Sequence, residues 1–530
     1  MRVSKFMHKY LLFLALLLPA DLFSQVIPIE GSRLNYRVVG FSYADRKIKG
    51  CRLEVAEGNF SDEASFIKHI VDTGIFALGR KKIVTVPDFG KEYTWRVVCE
   101  KRNPDNVSKS EFHHFSTLPY GDSSGSKTRL RIVTNNRLAD HNYFFVDATR
   151  TLYNAQGDPV WFLPDADVLP FVKTGLRDLK YSNGTMTCIM EDHPMEIDYN
   201  GNIRWRPYNT GEVAHDTSER FHHELTKLQL SGQYMVLGTE TIKAKLPSYH
   251  GESAHKDSSN NITKDSAGVY WQKMEFGTLI AYDTTGKVTW AWKSFDYFKN
   301  SEIFSHYLPD GKFPPIDVHE NAFCFNERDS VIYVGFRNIS RILKIKYPSG
   351  NVLAVYGLPF EVGSETCSEL FCGQHSISLT SNGDLCLYNN NSMDYASLPK
   401  IEILKEVAGA GLAEVWKYDC TLDGFDENEL DAYNKKNTML RGMSDRKILS
   451  VASRLSSGGI ARQTPDGSIF VSMGHDNGKL MLINENKEVL WSAVLETQLY
   501  KDGPWISLST YRANIVSWNE IRGLIWSVKY

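Results

Sequence analysis

At 530 residues the chain is long enough for two or more domains, or for one very large one. Its composition, 42% hydrophobic and 23% charged, is that of an ordinary globular protein rather than a disordered or fibrous one. Lys+Arg 60 against Asp+Glu 63 leaves a net charge of -3, which removes any global electrostatic argument for nucleic acid or an anionic membrane and leaves room only for a local basic pocket.

The first element reads as a leader. MRVSKFMHKY supplies Arg2, Lys5, Lys9 and the titratable His8 ahead of the apolar run LLFLALLLPA. That run is too short to span a bilayer comfortably and fits a secretory signal h-region, with cleavage between Ala20 and Gln25; an uncleaved anchor is the alternative. No Cys sits at the cleavage region, so a lipid-modified Cys is not expected, and no other stretch approaches transmembrane length. Residues 1–25 are therefore expected to be a signal peptide, and the mature chain to be periplasmic without stable membrane insertion. The eight cysteines can be oxidised in that compartment but are too sparse for a disulfide scaffold. Cys367 and Cys372, in CSELFC, are close enough to clip a loop; the other reading is that both are free and buried.

Residues 26–119 read as a small β-sandwich. LNYRVVGFSY, GCRLEVAEG, KKIVTVPDF, EYTWRVVCEK and EFHHFSTLP are short alternating runs separated by turn residues. The run from GKEYTWRVVCEK to FSTLP resembles the last strands of fibronectin type III domains, where a Tyr begins the strand and Phe-x-Thr closes the domain. His113 and His114, in its last strand, are expected to face solvent. The Gly/Ser-rich YGDSSGSKTRL then marks a linker, and a second domain, 120–530, follows.

From there to the C-terminus the same chemistry recurs: a polar-Gly turn, then an alternating apolar strand, as in NAQGDPVWF, YNGNIRWR, TTGKVTWAW, PSGNVLAVYG, SNGDLCLYN and TPDGSIFVSMG. Several hairpins end in a Trp-bearing strand. Weak periodicity of this kind over about 400 residues predicts a β-propeller, all-β, with about six blades of four strands; seven shorter blades would also fit. SYHGESAHKDSSNNITKDSAG (248–268) is expected to be a long exposed loop, and ENELDAYNKKN is the best helical patch, in an insertion over one face.

Three histidine-bearing entries precede strands at comparable positions: RFHHELTKL with His222 and His223, DVHENAFCF with His319, and GQHSISL with Gln374 and His375. The innermost strand of each propeller blade lines the central channel, so equivalent entries should converge at one mouth of it. Arg337, in GFRN, is expected beside His319. Simple alternation puts Asn321 on the same face as His319 and points Glu224 and Glu320 away. A zinc site is the other use of such a cluster, but no HxH or HxxxH pair occurs among these residues and no carboxylate accompanies all three entries, so no metal is expected.

HHEL, HENAFCFNERDSVIYVGFRN and GQHSISLTSNGDLCLYNN, in this order, resemble the bacterial arylsulfate sulfotransferases, which are exported six-bladed propellers with a small N-terminal β-domain. The resemblance implies transfer of a sulfuryl group from one phenol to another by a ping-pong route through a sulfohistidine, with no nucleotide cofactor; no phosphate-cradling GxxxxGK[ST] loop is present. It implies His375 as nucleophile, His223, His319 and Arg337 as catalytic partners, and Asn321, Gln374 and His222 as substrate-binding residues. Ser456 or Ser457 would add a hydroxyl, by a looser match. The Cys pair stands approximately where relatives place a disulfide, and a homodimer would follow from the resemblance alone. The expected partners are aryl sulfates and phenols.

The residue types suit that chemistry. Neutral imidazole, with an unperturbed pKa of about 6.5, is a competent nucleophile near neutrality. A sulfuryl group in flight is planar and anionic, like a phosphoryl group, and calls for fixed cationic donors such as the Arg fork. A His beside it can protonate the departing phenolate and deprotonate the acceptor. The alternatives are a non-catalytic propeller that binds a glycan or protein, and a metal-dependent lyase or hydrolase on the same scaffold.

Overall fold

The computed structural model describes residues 26–43, 51–76, 81–100, 107–121, 126–136, 141–164, 175–245, 262–298, 318–357, 368, 370–391, 398–409, 411–425, 458–474 and 478–528. The leader (1–25), Cys367, the helical patch at 427–437 and the Ser456–Ser457 pair lie outside the described residues. The chain divides into two units after Tyr120.

In the first unit a six-stranded sheet runs in the order Ser32–Leu34, His113–Thr117, Glu92–Glu100, Cys51–Glu57 and Ile70–Ile75, with Val107–Lys109 also paired to Glu92–Glu100. A two-stranded sheet, Val38–Ser42 with Lys81–Thr85, packs Phe41 edge-on against Trp95 and Phe115 of the large sheet, at 5.2 and 5.9 Å between ring centroids. Tyr93, at the start of its strand, donates its hydroxyl to the Asp88 carbonyl at 2.9 Å, the corner bond seen in sandwich domains of this kind. A disulfide joins Cys51 to Cys99, directly opposed on neighbouring strands. His113 departs from expectation. Period-two alternation puts it on the same face as Phe115, and its ring lies 4.8 Å from that of Trp95 instead of in solvent.

The second unit is a β-propeller. Among its described residues, six sheets each contain a four-stranded antiparallel meander. Blade I consists of Ala513–Ser517, Asn142–Val146, Thr151–Asn154 and Pro159–Phe162, so the C-terminal strand supplies its innermost position and closes the ring. In blades II to VI the innermost strand comes first in sequence: Leu176–Ser182, Arg220–Lys227, Glu320–Asn326, His375–Leu379 and Ile460–Gln463. Each of these lies beside the innermost strand of the next blade, and Ala513–Ser517 abuts both blade VI and Leu176–Ser182. The strand Lys127–Asn135 adds to the outer edge of blade VI, along Val489–Gln498.

The sequence pattern follows the layering. Middle strands such as VIYVGF and LCLYN are covered on both faces and read as continuous apolar runs, whereas outer strands such as VTWAWK and VLAVY alternate. Cores form between blades: Phe323, Val334 and Leu343 of blade IV pack on Met235, Leu279 and Phe276 of blade III, and Tyr388 and Ile401 of blade V on Val471 and Met481 of blade VI. In blades I, II, III and VI the turn before the outer strand is an Asx turn. Asp283 Oδ1, for example, accepts from the Thr285 and Lys287 amides, and Gly286 supplies the left-handed residue at φ 90.

The Trp residues of the outer strands give this repeat its inter-blade bond. The indole N–H donates to a backbone carbonyl of the following blade: Trp161 to Tyr199 at 2.6 Å, Trp205 to Asp283 at 3.1 Å, Trp292 to Gly350 at 3.1 Å, Trp416 to Glu485 at 2.9 Å and Trp491 to Ala155 at 2.9 Å. Blade IV has Tyr356 in that place, and its hydroxyl bonds Glu406 of blade V. A flat amphipathic ring that fills the outer wedge and satisfies a turn carbonyl explains why Trp recurs there. The end of the expected loop 248–268 is ordered differently: Ile262–Lys264 form a strand against Tyr270–Tyr282. No helix among the described residues is long and apolar enough to cross a membrane.

Candidate active site

Four innermost strands break their regular pairing near their start. The register shifts between Arg177 and Lys180, His222 and Leu225, Glu320 and Ala322, and His375 and Ile377. At these bulges Asp178, His223, His319 and Ser376 adopt positive φ of 57, 59, 57 and 53. Left-handed backbone at a non-glycine residue is costly, and such bulges re-aim side chains next to active sites.

Cross-blade bonds hold the strained residues. Asp147 accepts from the amides of Asp178 and Leu179 at 2.8 and 3.3 Å, Asp178 from the Leu225 amide at 3.0 Å, and Glu224 from the Phe323 amide at 3.2 Å. Asn321 donates to the Gln374 carbonyl at 2.7 Å, and Ser376 Oγ to the Ala461 carbonyl at 3.3 Å. Each inner strand is thus tied to the next. Burial and the neighbouring Asp178 push Asp147 up to about 7. Arg512, fully buried, donates to the carbonyls of His223 at 3.2 Å and Asn321 at 2.7 Å, and lies 3.5 Å from Asp178 and 3.8 Å from Glu224. It pins two bulges at once.

Above this layer the histidines meet. The rings of His223 and His319 are 5.0 Å apart and nearly perpendicular. The Arg337 amide donates to the His319 carbonyl at 2.9 Å, which fixes Arg337 at that mouth, and its guanidinium reaches the Asn338 amide oxygen at 3.1 Å. His375 is 1% exposed, and its Nδ1 lies 2.6 Å from Asn390 Oδ1. Asn390 Nδ2 is 3.1 Å from the Gly458 carbonyl, which can only accept. That orients the Asn390 amide, so Oδ1 accepts and His375 Nδ1 carries the proton. Its Nε2 lone pair is left to react. Burial first, then the positive Arg337 and the neighbouring His319, hold His375 well below the usual His value, with the Asn390 bond opposing them.

The same reasoning fixes a second tautomer. His222 Nε2 lies 3.1 Å from the Gly238 carbonyl and must donate to it, so its Nδ1 accepts from His223 Nδ1 at 2.6 Å. His223 Nε2 is then the unprotonated nitrogen. Burial first, then the electrostatic influence of His222, His319, Arg512 and His375, pushes His223 well below its ordinary pKa, although part of its surface stays open. His223 is thus a neutral base oriented by His222.

All seven expected residues cluster at one end of the inner strands, on two levels. His222, His223, His319, His375 and Arg337 surround the mouth. Asn321 and Gln374 lie behind it, both fully buried. Asn321 is the latch already described, and Gln374 donates to the Phe336 and Arg341 carbonyls at 3.3 and 2.8 Å. The bulges defeat simple alternation here. They turn Asn321 off the His319 face and bring Glu224 under the channel floor, while Glu320 lies against Gly277 of blade III.

Three residues were not singled out by sequence reasoning. Asn390 directly follows the strand Leu385–Asn389, which pairs with that of His375. Arg512 and Tyr511 enter the C-terminal strand at the place where HH, HEN and QHS enter theirs, and recognising that strand as an innermost one would have found them. The Tyr511 ring is 5.8 Å from His223 and 6.3 Å from His375, and its buried hydroxyl has no hydrogen-bond partner. Gly458 and Gly459, at φ 77 and 96, seat it: the Gly459 amide donates to the Tyr511 carbonyl, and a Cβ on Gly459 would overlap the Tyr388 ring. Cys372 is disulfide-bonded, as a clip at this loop requires. The loop after it is pinned by the Gly373 amide to Ser340 Oγ at 3.0 Å.

Among the described residues no group of three or more His, Cys, Asp or Glu is placed to hold a metal ion. The arrangement offers a neutral nucleophilic imidazole, a neutral base, a guanidinium and an unsatisfied phenol around one point.

No curated protein matches the chain. Among solved structures, a protein of unknown function from Bacteroides caccae is similar at 11% identity and TM-score 0.40, over 71% of this chain and 98% of that one. A periplasmic gluconolactonase from Pseudomonas aeruginosa is similar at 9% identity and TM-score 0.26, over 88% and 99%. Likenesses this weak carry neither fold nor function over. The family model for arylsulfotransferase (ASST) matches residues 121–410, more than half of the chain and including every histidine of the mouth. The chain belongs to the arylsulfotransferase family.

Proposed function

We propose that the chain is a periplasmic arylsulfate sulfotransferase that works in two steps through a sulfurylated His375, without a nucleotide donor. In the first step the Nε2 lone pair attacks sulfur, an S–N bond forms, and the S–O bond to the aryl group breaks. Phenolate departs and takes a proton from His223. In the second step His223 removes the proton of an acceptor phenol, whose oxygen attacks sulfur as the S–N bond breaks. Arg337 holds the sulfuryl oxygens, and His319 donates to them. One observation carries this reading: the Asn390–Gly458 bond leaves His375 buried and neutral, with Nε2 reactive and Arg337 acting on it. The anionic donor raises the proton affinity of His223, which can then serve as acid in one half-reaction and base in the other.

The test is release of nitrophenolate from 4-nitrophenyl sulfate, with and without phenol, by wild type and His375→Ala, followed by intact mass. Phenol-dependent release, with gain of one SO3 that the variant lacks, is expected. Wild-type protein that neither turns over nor gains mass across several aryl donors would point to a binding propeller. Loss of turnover on addition of a chelator would point to metal-dependent chemistry on the same scaffold.

A further inference from the structure

The geometry points to a second anion subsite beside the sulfuryl site, built on Arg177, that selects phenols and aryl sulfates bearing a carboxylate or another acidic group on the ring. This rests on the sulfotransferase reading. Arg177 stands one residue before left-handed Asp178 in blade II, as His222 stands one before left-handed His223 in blade III. It is therefore at the mouth and not in the wall. Its side chain is exposed, and its guanidinium carbon lies 5.7 Å from the centroid of Tyr511, the ring that sits between His223 and His375.

Three cations act on the Tyr511 hydroxyl, and they differ in what engages them. Arg512 is committed to two carbonyls and to Asp178 and Glu224. Arg337 bonds Asn338 and, on this reading, takes the sulfuryl oxygens. Among the described residues no carboxylate pairs with Arg177, whose guanidinium lies over the ring. Stacking on an open aromatic face is a weak hold and leaves the planar fork free to bind a carboxylate through two parallel bonds. The sulfuryl site takes the reacting end of the substrate. The far end, one aromatic ring away, meets a cation that no carboxylate among the described residues neutralises.

The experiment compares 4-hydroxybenzoate with its methyl ester as acceptors, with 4-nitrophenyl sulfate as donor, for wild type, Arg177→Gln and Arg177→Lys. Calorimetric binding of both acceptors is measured alongside turnover. The wild type is expected to prefer the carboxylate in kcat/KM and in affinity. The Gln variant should lose that preference about tenfold or more, the range for a charge-assisted bond, and the Lys variant should keep part of it. Equal losses for both acceptors, or an unaltered preference, would overturn the subsite. If the wild type transfers to neither acceptor, the sulfotransferase reading fails, and the binding measurements still decide the subsite by the same preference.

Discussion

Replacing Asn390 by leucine removes the acceptor for His375 Nδ1 at nearly constant volume. In the resting site that bond is a neutral one of 2.6 Å. As sulfur bonds to Nε2 the imidazole becomes cationic and the same bond becomes charge-assisted, so it is stronger in the transition state than before it. Hydrogen bonds to charged groups contribute about 1.5–3 kcal/mol, against about 1 kcal/mol for neutral ones. The difference, about 0.5–2 kcal/mol, should slow the first half-reaction about 2- to 30-fold, with little change in donor binding. Stopped-flow release of nitrophenolate from 4-nitrophenyl sulfate measures that step directly. Asn390→Asp keeps the acceptor but adds negative charge. It should raise the depressed His375 pKa and move the acidic limb of kcat/KM to higher pH. A leucine variant that folds and bursts at the wild-type rate would refute the tautomer argument.

Other consequences follow from the same geometry. Because burial and Arg337 depress His375, and burial depresses His223, both stay neutral as pH falls through the ordinary His range. The acidic limb of kcat/KM for the free enzyme should therefore lie below about 6.5, where an exposed His would titrate, and a limb at or above that value would contradict the assignment. Arg512→Met strips the His223 and Asn321 carbonyls of a donor and leaves Lys180, at 2.7 and 3.4 Å, as the remaining cation for Asp178 and Glu224. It should cost about 1–3 kcal/mol in denaturant unfolding for each carbonyl left without a donor. Trp491→Phe deletes the indole bond to Ala155 that ties blade VI to blade I, and should cost about 1–3 kcal/mol in the same measurement without moving the acidic limb.

The turns and the blade repeat were legible because their chemistry is local. Asp283, with Gly286 three residues on, can hardly form anything but a tight turn, and Trp205, Trp292 and Trp491 recur at one position in the hairpin. The histidine entries were legible for the same reason, being polar residues placed just ahead of apolar strands. The bulges were not. Nothing in Asp178, His223, His319 or Ser376 marks a left-handed residue, because the bonds that hold them come from residues distant in the sequence. Without the bulges, alternation misplaces Asn321 and Glu224. Ring closure hid Tyr511 and Arg512, since their strand belongs to a blade whose other strands lie far earlier in the sequence. Asn390 read only as the polar end of a hairpin strand, and the strand pairing is what turns it toward His375.

The most direct measurement is to quench the protein with 4-nitrophenyl sulfate in the absence of acceptor, digest it, and locate the sulfuryl group by tandem mass spectrometry, with the ring nitrogen assigned by NMR. The account predicts one sulfuryl group, on Nε2 of His375, that phenol removes at the rate of turnover. A label on Nδ1, on Tyr511 or on any other side chain, or turnover with no label at all, would contradict it.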